Sequence, residues 1–163
     1  MDAKAAIKVA LDTAEMISMA YLEDLTDEEM LIRPVPQANH INWQVGHLIA
    51  SEHQMISKSV PNSMPELPAG FADRYASETA SQDDASQFLR KADLIAEYRR
   101  QRAATLIALE KMTPETLDQE TDESIRSYAP TVGAAFVLQD AHWMMHAGQW
   151  AVVRRKLGRK PIF

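Results

Sequence analysis

The chain has no cysteine. That excludes disulfides, thiolate metal ligands and a protein thiol nucleophile. No apolar run approaches the length that spans a bilayer. The first residues, Met1-Asp-Ala-Lys-Ala-Ala6, lack the apolar core of a signal peptide, so a cytoplasmic location is the expectation. Net charge is −6 and no basic stripe runs through the sequence. Phosphate-backbone binding is therefore disfavoured, and no nucleic-acid or membrane partner is expected. The one basic cluster, Arg154, Arg155, Lys156, Arg159 and Lys160, falls at the end of the last helical segment. Such charges suit the carbonyl end of a helix. There is no low-complexity tract and no internal repeat. At 163 residues the chain is most simply one domain, 1–163, long enough to bury a full core.

What is present is helical periodicity. Residues 3 to about 24 carry Ile7, Leu11, Ala14, Ile17, Leu22 and Leu25 at mostly helical spacing. Thr26-Asp-Glu-Glu29 resembles a capping box that opens a short turn, and Arg33-Pro-Val-Pro36 forbids continuation. Asn39 or Asn42 is expected to cap a second long helix reaching roughly Val60. Residues 61–85, rich in Pro, Ser, Ala and Asp, read as a long crossover with room for one short helix. A third long helix is expected from about Ala85 to Met112. Thr113-Pro114-Glu115 is a cap with proline at the first helical position. After an irregular stretch from about Asp118 to Pro130, Thr131 caps the last helix, which Gly158 stops before Pro161. Four long helices and no convincing strand predict an all-α fold, an antiparallel four-helix bundle with two long connections.

The richest segment for chemistry is Asp140-Ala-His-Trp-Met-Met-His-Ala-Gly-Gln149. His142 and His146 are four residues apart, which stacks their imidazoles on one helix face about 6 Å apart along the axis. Two neutral imidazoles so placed can share one divalent ion. On a wheel of about 100° per residue, Ala134, Leu138, Ala141, Met145 and Val152 form an apolar arc, with Asp140, Met144, Ala147 and Arg154 opposite. His142, His146 and Gln149 fall within or beside that arc. Polar side chains there are costly without partners, and a metal with its outer partners would supply them. The bland alternative is a pair of core histidines bonded to carbonyls. Gln149 can reach a ligand histidine or a backbone carbonyl. Gly148 inside a helix suggests close approach of a neighbouring helix. Trp143, Trp150, Met144 and Met145 read as core or pocket wall.

A third imidazole is available in the second helix, in Asn42-Trp-Gln-Val-Gly-His47. Trp43, Ala50, Ser51 and Gln54 share the face of His47. His40 lies near the helix start and is expected to be exposed. His53 points about 120° away from His47. Glu52 also lies off that face, which suggests a surface or helix-pairing role. Three histidines from two helices would leave a coordination position open, as a catalytic site needs.

The string His142-x-x-x-His146-x-Gly148-Gln149, with Gly46-His47-Leu48 in the second helix, resembles the DinB/YfiT-like superfamily, and the resemblance covers nearly the whole chain. It implies a four-helix bundle with a three-histidine site for one divalent ion at one end, usually nickel or zinc. By position His47 matches the helix-two ligand, and His142 and His146 match the helix-four pair. Many members are homodimers. Characterised members include thiol S-transferases and a thiol-dependent maleylpyruvate isomerase, and others are described as metal-dependent hydrolases. The family name implies no DNA binding.

Such a site can lower the pKa of water or hold an exogenous thiol as thiolate. Lacking cysteine, this chain would take its sulfur from a low-molecular-weight thiol cosubstrate. The leading expectation is thiol transfer to a small electrophile. The alternatives are metal-dependent hydrolysis, a non-catalytic metal-binding stress-response protein, or a bare structural bundle. Arg74, Arg126 and Tyr128 in the connections are candidate contacts for an anionic group.

Overall fold

A computed structural model describes all residues, 1–163, as an all-helical chain without strands. The long helices are α1 (Ala3–Leu22), α2 (Ile41–Ser59), α4 (Lys91–Glu110) and α6 (Val132–Lys156). Two single-turn helices, α3 (Phe71–Arg74) and α5 (Pro114–Leu117), sit in the connections. No helix is long and apolar enough to cross a membrane.

The ends follow local chemistry. Asp2 caps α1 by accepting from the Ala5 N–H. Thr26 and Glu29 bond each other's backbone N–H reciprocally, as the capping box predicts. Thr113 caps α5 with Pro114 behind it, and Thr131 caps α6. Gly158 ends that helix at φ +73°, a conformation that favours glycine. The cap of α2 differs from expectation. It is His40, whose Nδ1 accepts from the Trp43 N–H at 3.0 Å. An accepting Nδ1 requires the proton on Nε2, which donates to the Gln82 carbonyl at 3.1 Å. His40 is therefore fully buried, not exposed. Asn42 spends its amide on the Leu89 carbonyl instead of capping. The third long helix starts at Lys91 rather than near Ala85, because Ala85–Gln87 forms a separate 3₁₀ turn and Phe88 is extended.

Around the bundle α1 neighbours α6 and α4, and α2 neighbours α6 and α4. Contacts give the directions. Arg154 near the end of α6 meets Tyr21 and Asp24 at the end of α1, so these two run parallel. Lys4 meets Glu110, and Lys91 bonds the Glu23 carbonyl, so α1 and α4 are antiparallel. Asn42 meets Leu89 and Glu52 meets Arg102, so α2 and α4 are parallel. Gln44 meets Trp150 while Met55 clusters with Ala135, so α2 and α6 are antiparallel. The all-antiparallel expectation is thus corrected. The connection from residue 60 to 90 is long enough to return the chain to the end where α2 began, and it allows a parallel pair.

The core holds Trp43, Leu48, Ile49, Tyr75, Tyr98, Trp143 and Trp150. The face of α6 turned inward is not the apolar arc of the wheel. Ala141, Met145 and Val152 are exposed, whereas Ala147 and Arg154, placed opposite, are buried. Trp143 and Trp150, seven residues apart, dominate the inner face by area. The basic cluster does more than meet helix carbonyls. Arg154 and Arg159 both pair with Asp24, and Arg159 also pairs with Glu29, which ties the end of α6 to the α1–α2 connection.

Candidate metal centre

Packing α2 antiparallel to α6 brings His47, His142 and His146 together. Each offers one ring nitrogen, and the three nitrogens lie within 4.8 Å of one another. Ring centroids are 5.1 to 5.9 Å apart. His142 and His146 straddle the middle of α6, so the site opens on the α2–α6 flank and not at a bundle end. His53 stays outside the group and faces Gln101 Oε1 at 3.2 Å.

Burial keeps these imidazoles neutral. It pushes His142 down to about 4, assisted by His47. It does the same to His146, assisted by His142 and then His47. Burial also lowers His47, opposed in part by the backbone of Tyr75. Neutral nitrogen is the ligating form.

Orientation comes from partner side chains, the first of which the sequence reading passed over. Gln44 is the central one. The Trp150 indole N–H, a donor only, gives to Gln44 Oε1 at 2.8 Å, so that atom is an acceptor. His146 Nδ1 lies 3.0 Å from the same oxygen and must carry its proton, which leaves Nε2 with a free lone pair. Gln44 Nε2 donates to the Asn39 carbonyl and to Gln149 Oε1. Gln149 therefore reaches neither a ligand histidine nor a carbonyl directly; it holds the amide that holds His146. A glutamine on an inward helical position, two residues before a lone glycine-histidine step, is a faint signal in sequence.

His47 is fixed by stacking. Trp43 lies on it with centroids 4.9 Å apart and planes 7° from parallel. The Trp43 indole N–H donates to Thr79 Oγ1 at 3.0 Å, so the crossover holds the tryptophan. Gly46 lets that crossover close. A Cβ there would lie 2.2 Å from the Tyr75 ring. The close approach expected at Gly148 belongs instead to Gly46, since nothing lies within 4 Å of a Cβ at Gly148.

Glu52 is 1% exposed, so the surface reading fails and the helix-pairing one holds. It pairs with Arg102 at 2.7 Å and accepts from Thr105 and the Trp143 indole. It stands apart from the imidazole group.

Two lobes of one groove meet at His47, Ser51, Gln54 and Lys58. The larger, about 880 Å³, lies under residues 66–78. The smaller, about 600 Å³, includes His142, Met145 and Tyr128. Arg126 bonds the Thr121 carbonyl and pairs with Glu120, and neither it nor Arg74 lines a lobe.

A neutral donor set with matched spacing fits one divalent ion. The DinB superfamily family model matches residues 10–150, a span that contains all three histidines. The chain belongs to the DinB superfamily. Among curated proteins, no significant match is found. The DinB bundle thus carries a three-histidine group able to hold an ion.

Proposed function

We propose that this DinB protein is a metal-dependent enzyme that transfers a low-molecular-weight thiol to a small electrophile. His47, His142 and His146 would hold one divalent ion, nickel or zinc. When bound, the ion supplies a Lewis acid that favours the deprotonated form of a thiol or of water. The chain's own groups do the rest. Gln44 keeps the His146 proton on Nδ1, Trp43 fixes the plane of His47, and Gln54 and Ser51 offer hydrogen bonds beside the imidazoles. In the reaction a sulfur–carbon bond forms at the electrophile, the leaving group departs with its electron pair, and the thiol proton passes to solvent.

The observation that favours thiol transfer is the lining of the smaller lobe. Its walls carry no carboxylate. No acidic side chain there can act as a general base on water, whereas a thiol, with a pKa of about 8.5, needs far less help than water to lose its proton. Metal-dependent hydrolysis is the second reading. The acidic wall of the larger lobe, with Glu66, Asp73 and Glu78, is what favours it.

The test loads the purified protein with zinc or nickel and assays activated electrophiles and simple esters or amides, each with and without added thiol. Turnover that needs both metal and thiol is expected, rises with pH as thiolate forms, and vanishes on chelation. Turnover without thiol selects hydrolysis. No turnover at full metal occupancy selects a metal-binding protein without catalysis. A homodimer is also proposed. Val9 and Met16 on α1, and Val137 and Val152 on α6, leave apolar side chains exposed for a second copy. A monomer mass across micromolar concentrations in light scattering overturns it.

A further inference from the structure

The two lobes differ in charge. The larger carries three carboxylates on its wall, from Glu66, Asp73 and Glu78, and shares Lys58 with the smaller at the junction. The smaller carries none, and its one permanently charged side chain is Lys58. Lys58 completes a stripe along α2 with His47, Ser51 and Gln54, at spacings of four, seven and eleven residues. Eleven residues of helix place Lys58 about 16 Å from His47 along the axis. Helical side chains tilt toward the N-terminus, which leans the lysine stem back toward the imidazoles. Between the two ends the wall is apolar, with Met55, Ile125, Leu138 and Met145.

The ammonium of Lys58 forms no ion pair within 4 Å. Its one hydrogen bond goes to Ser124 Oγ at 2.7 Å, and Ser124 donates onward to Asp122. That bond positions the lysine against the 118–131 connection and leaves two of its three protons without a protein acceptor. A cation with unused donors, at the far end of an apolar slot that begins at the His47 and His142 imidazoles, is complementary to one kind of ligand.

We propose that the smaller lobe binds an apolar monoanion, with its carboxylate on Lys58 and its reacting end toward His47, His142 and His146. Which end reacts rests on the enzyme reading above; the anion site itself does not. The apolar body is on the order of ten heavy atoms, long enough to bridge the slot and too apolar for the acidic lobe. The acidic lobe is left for the second reactant, so the groove sorts its two substrates by charge.

The test uses the full chain, metal-free and zinc-loaded, with 4-phenylbutyrate and its neutral amide as probes. Binding is followed by calorimetry and by tryptophan fluorescence, without thiol and without turnover. The carboxylate is expected to bind roughly tenfold more tightly than the amide. Lys58→Met keeps the apolar stem and should abolish that preference, while leaving amide binding unchanged. Lys58→Arg should restore it, and added salt should weaken it. Equal binding of the two probes, no carboxylate binding, or an unchanged preference in Lys58→Met overturns the proposal. So does a preference that appears only with zinc and ignores Lys58, since the carboxylate then sits on the ion. A charge preference without thiol-dependent turnover sinks the transferase reading and leaves the anion site standing. Thiol-dependent turnover whose KM for an anionic electrophile ignores Lys58→Met does the reverse.

Discussion

Two polar clusters stand a turn and a half apart on α2, and they differ in whether their chemistry is closed. Around Glu52, both carboxylate oxygens are taken by Arg102, Thr105 and the Trp143 indole, all from neighbouring helices. Arg102 lies against the Tyr98 and Trp143 rings, with Nε and Nη1 unpaired. The charges face one another and are sealed from solvent. Around His47 the side chains are neutral, their ring nitrogens converge, and a groove reaches His47 and His142. His142 forms no hydrogen bond within the protein. A closed cluster fixes helix register, and an open one has valence left for a ligand. Burial and residue type alone would not separate them, because both hold polar groups on core-facing positions.

The comparison breaks most sharply on metal content. His146→Ala should reduce bound metal from about one ion per chain to near zero by elemental analysis, whereas His53→Ala should leave it intact. Equal loss in both variants would dissolve the distinction between the open cluster and an ordinary histidine. The closed cluster should show its importance in stability instead. Glu52→Ala strands the Arg102 charge and the Trp143 donor, and should cost about 3–5 kcal/mol in chemical denaturation. Metal bound per folded molecule should stay unchanged. A drop in that ratio would mean that the two clusters act as one.

A finer test concerns the partner of the open site. Gln44→Leu removes the acceptor of His146 Nδ1 and should weaken metal affinity by about tenfold. Gln44→Glu keeps an acceptor and should recover most of it. The open cluster should also make stability depend on pH. The folded state holds His142 and His146 near 4, against about 6.5 when unfolded. Between those values the unfolded chain binds more protons, so the metal-free protein should be fully stable above about 6.5 and lose stability as pH falls toward 4. Replacing both histidines with Gln should flatten that slope. A thermal midpoint that rises on acidification would contradict neutral buried imidazoles.

Much of this was legible locally. Thr131 at the start of α6, Pro114 behind Thr113 and Gly158 at the close each act through bonds within four or five residues. The His142–His146 pair was legible because helical spacing fixes which side chains share a face. His40 was not, because it reads as a polar residue at a helix start until Gln82, forty-two residues away, takes its second nitrogen. The wheel of α6 misled for a related reason. It counts apolar residues, but two tryptophans seven apart outweigh a broader arc of alanine, methionine and valine when a core is filled.

The sequence by itself determined four long helices, both caps of α6 and the family, since those depend on periodicity and on short-range hydrogen bonds. It also determined that two imidazoles would stand together, since α-helical rise and turn are the same everywhere. Only the tertiary structure decided that α2 and α4 run parallel, that His47 completes the group, that Gln44 sets a proton on His146, and that Tyr75 rests on Gly46. Each of these joins residues from separate elements. Their meeting depends on how whole helix faces pack, a sum over many weak contacts that no local pattern encodes.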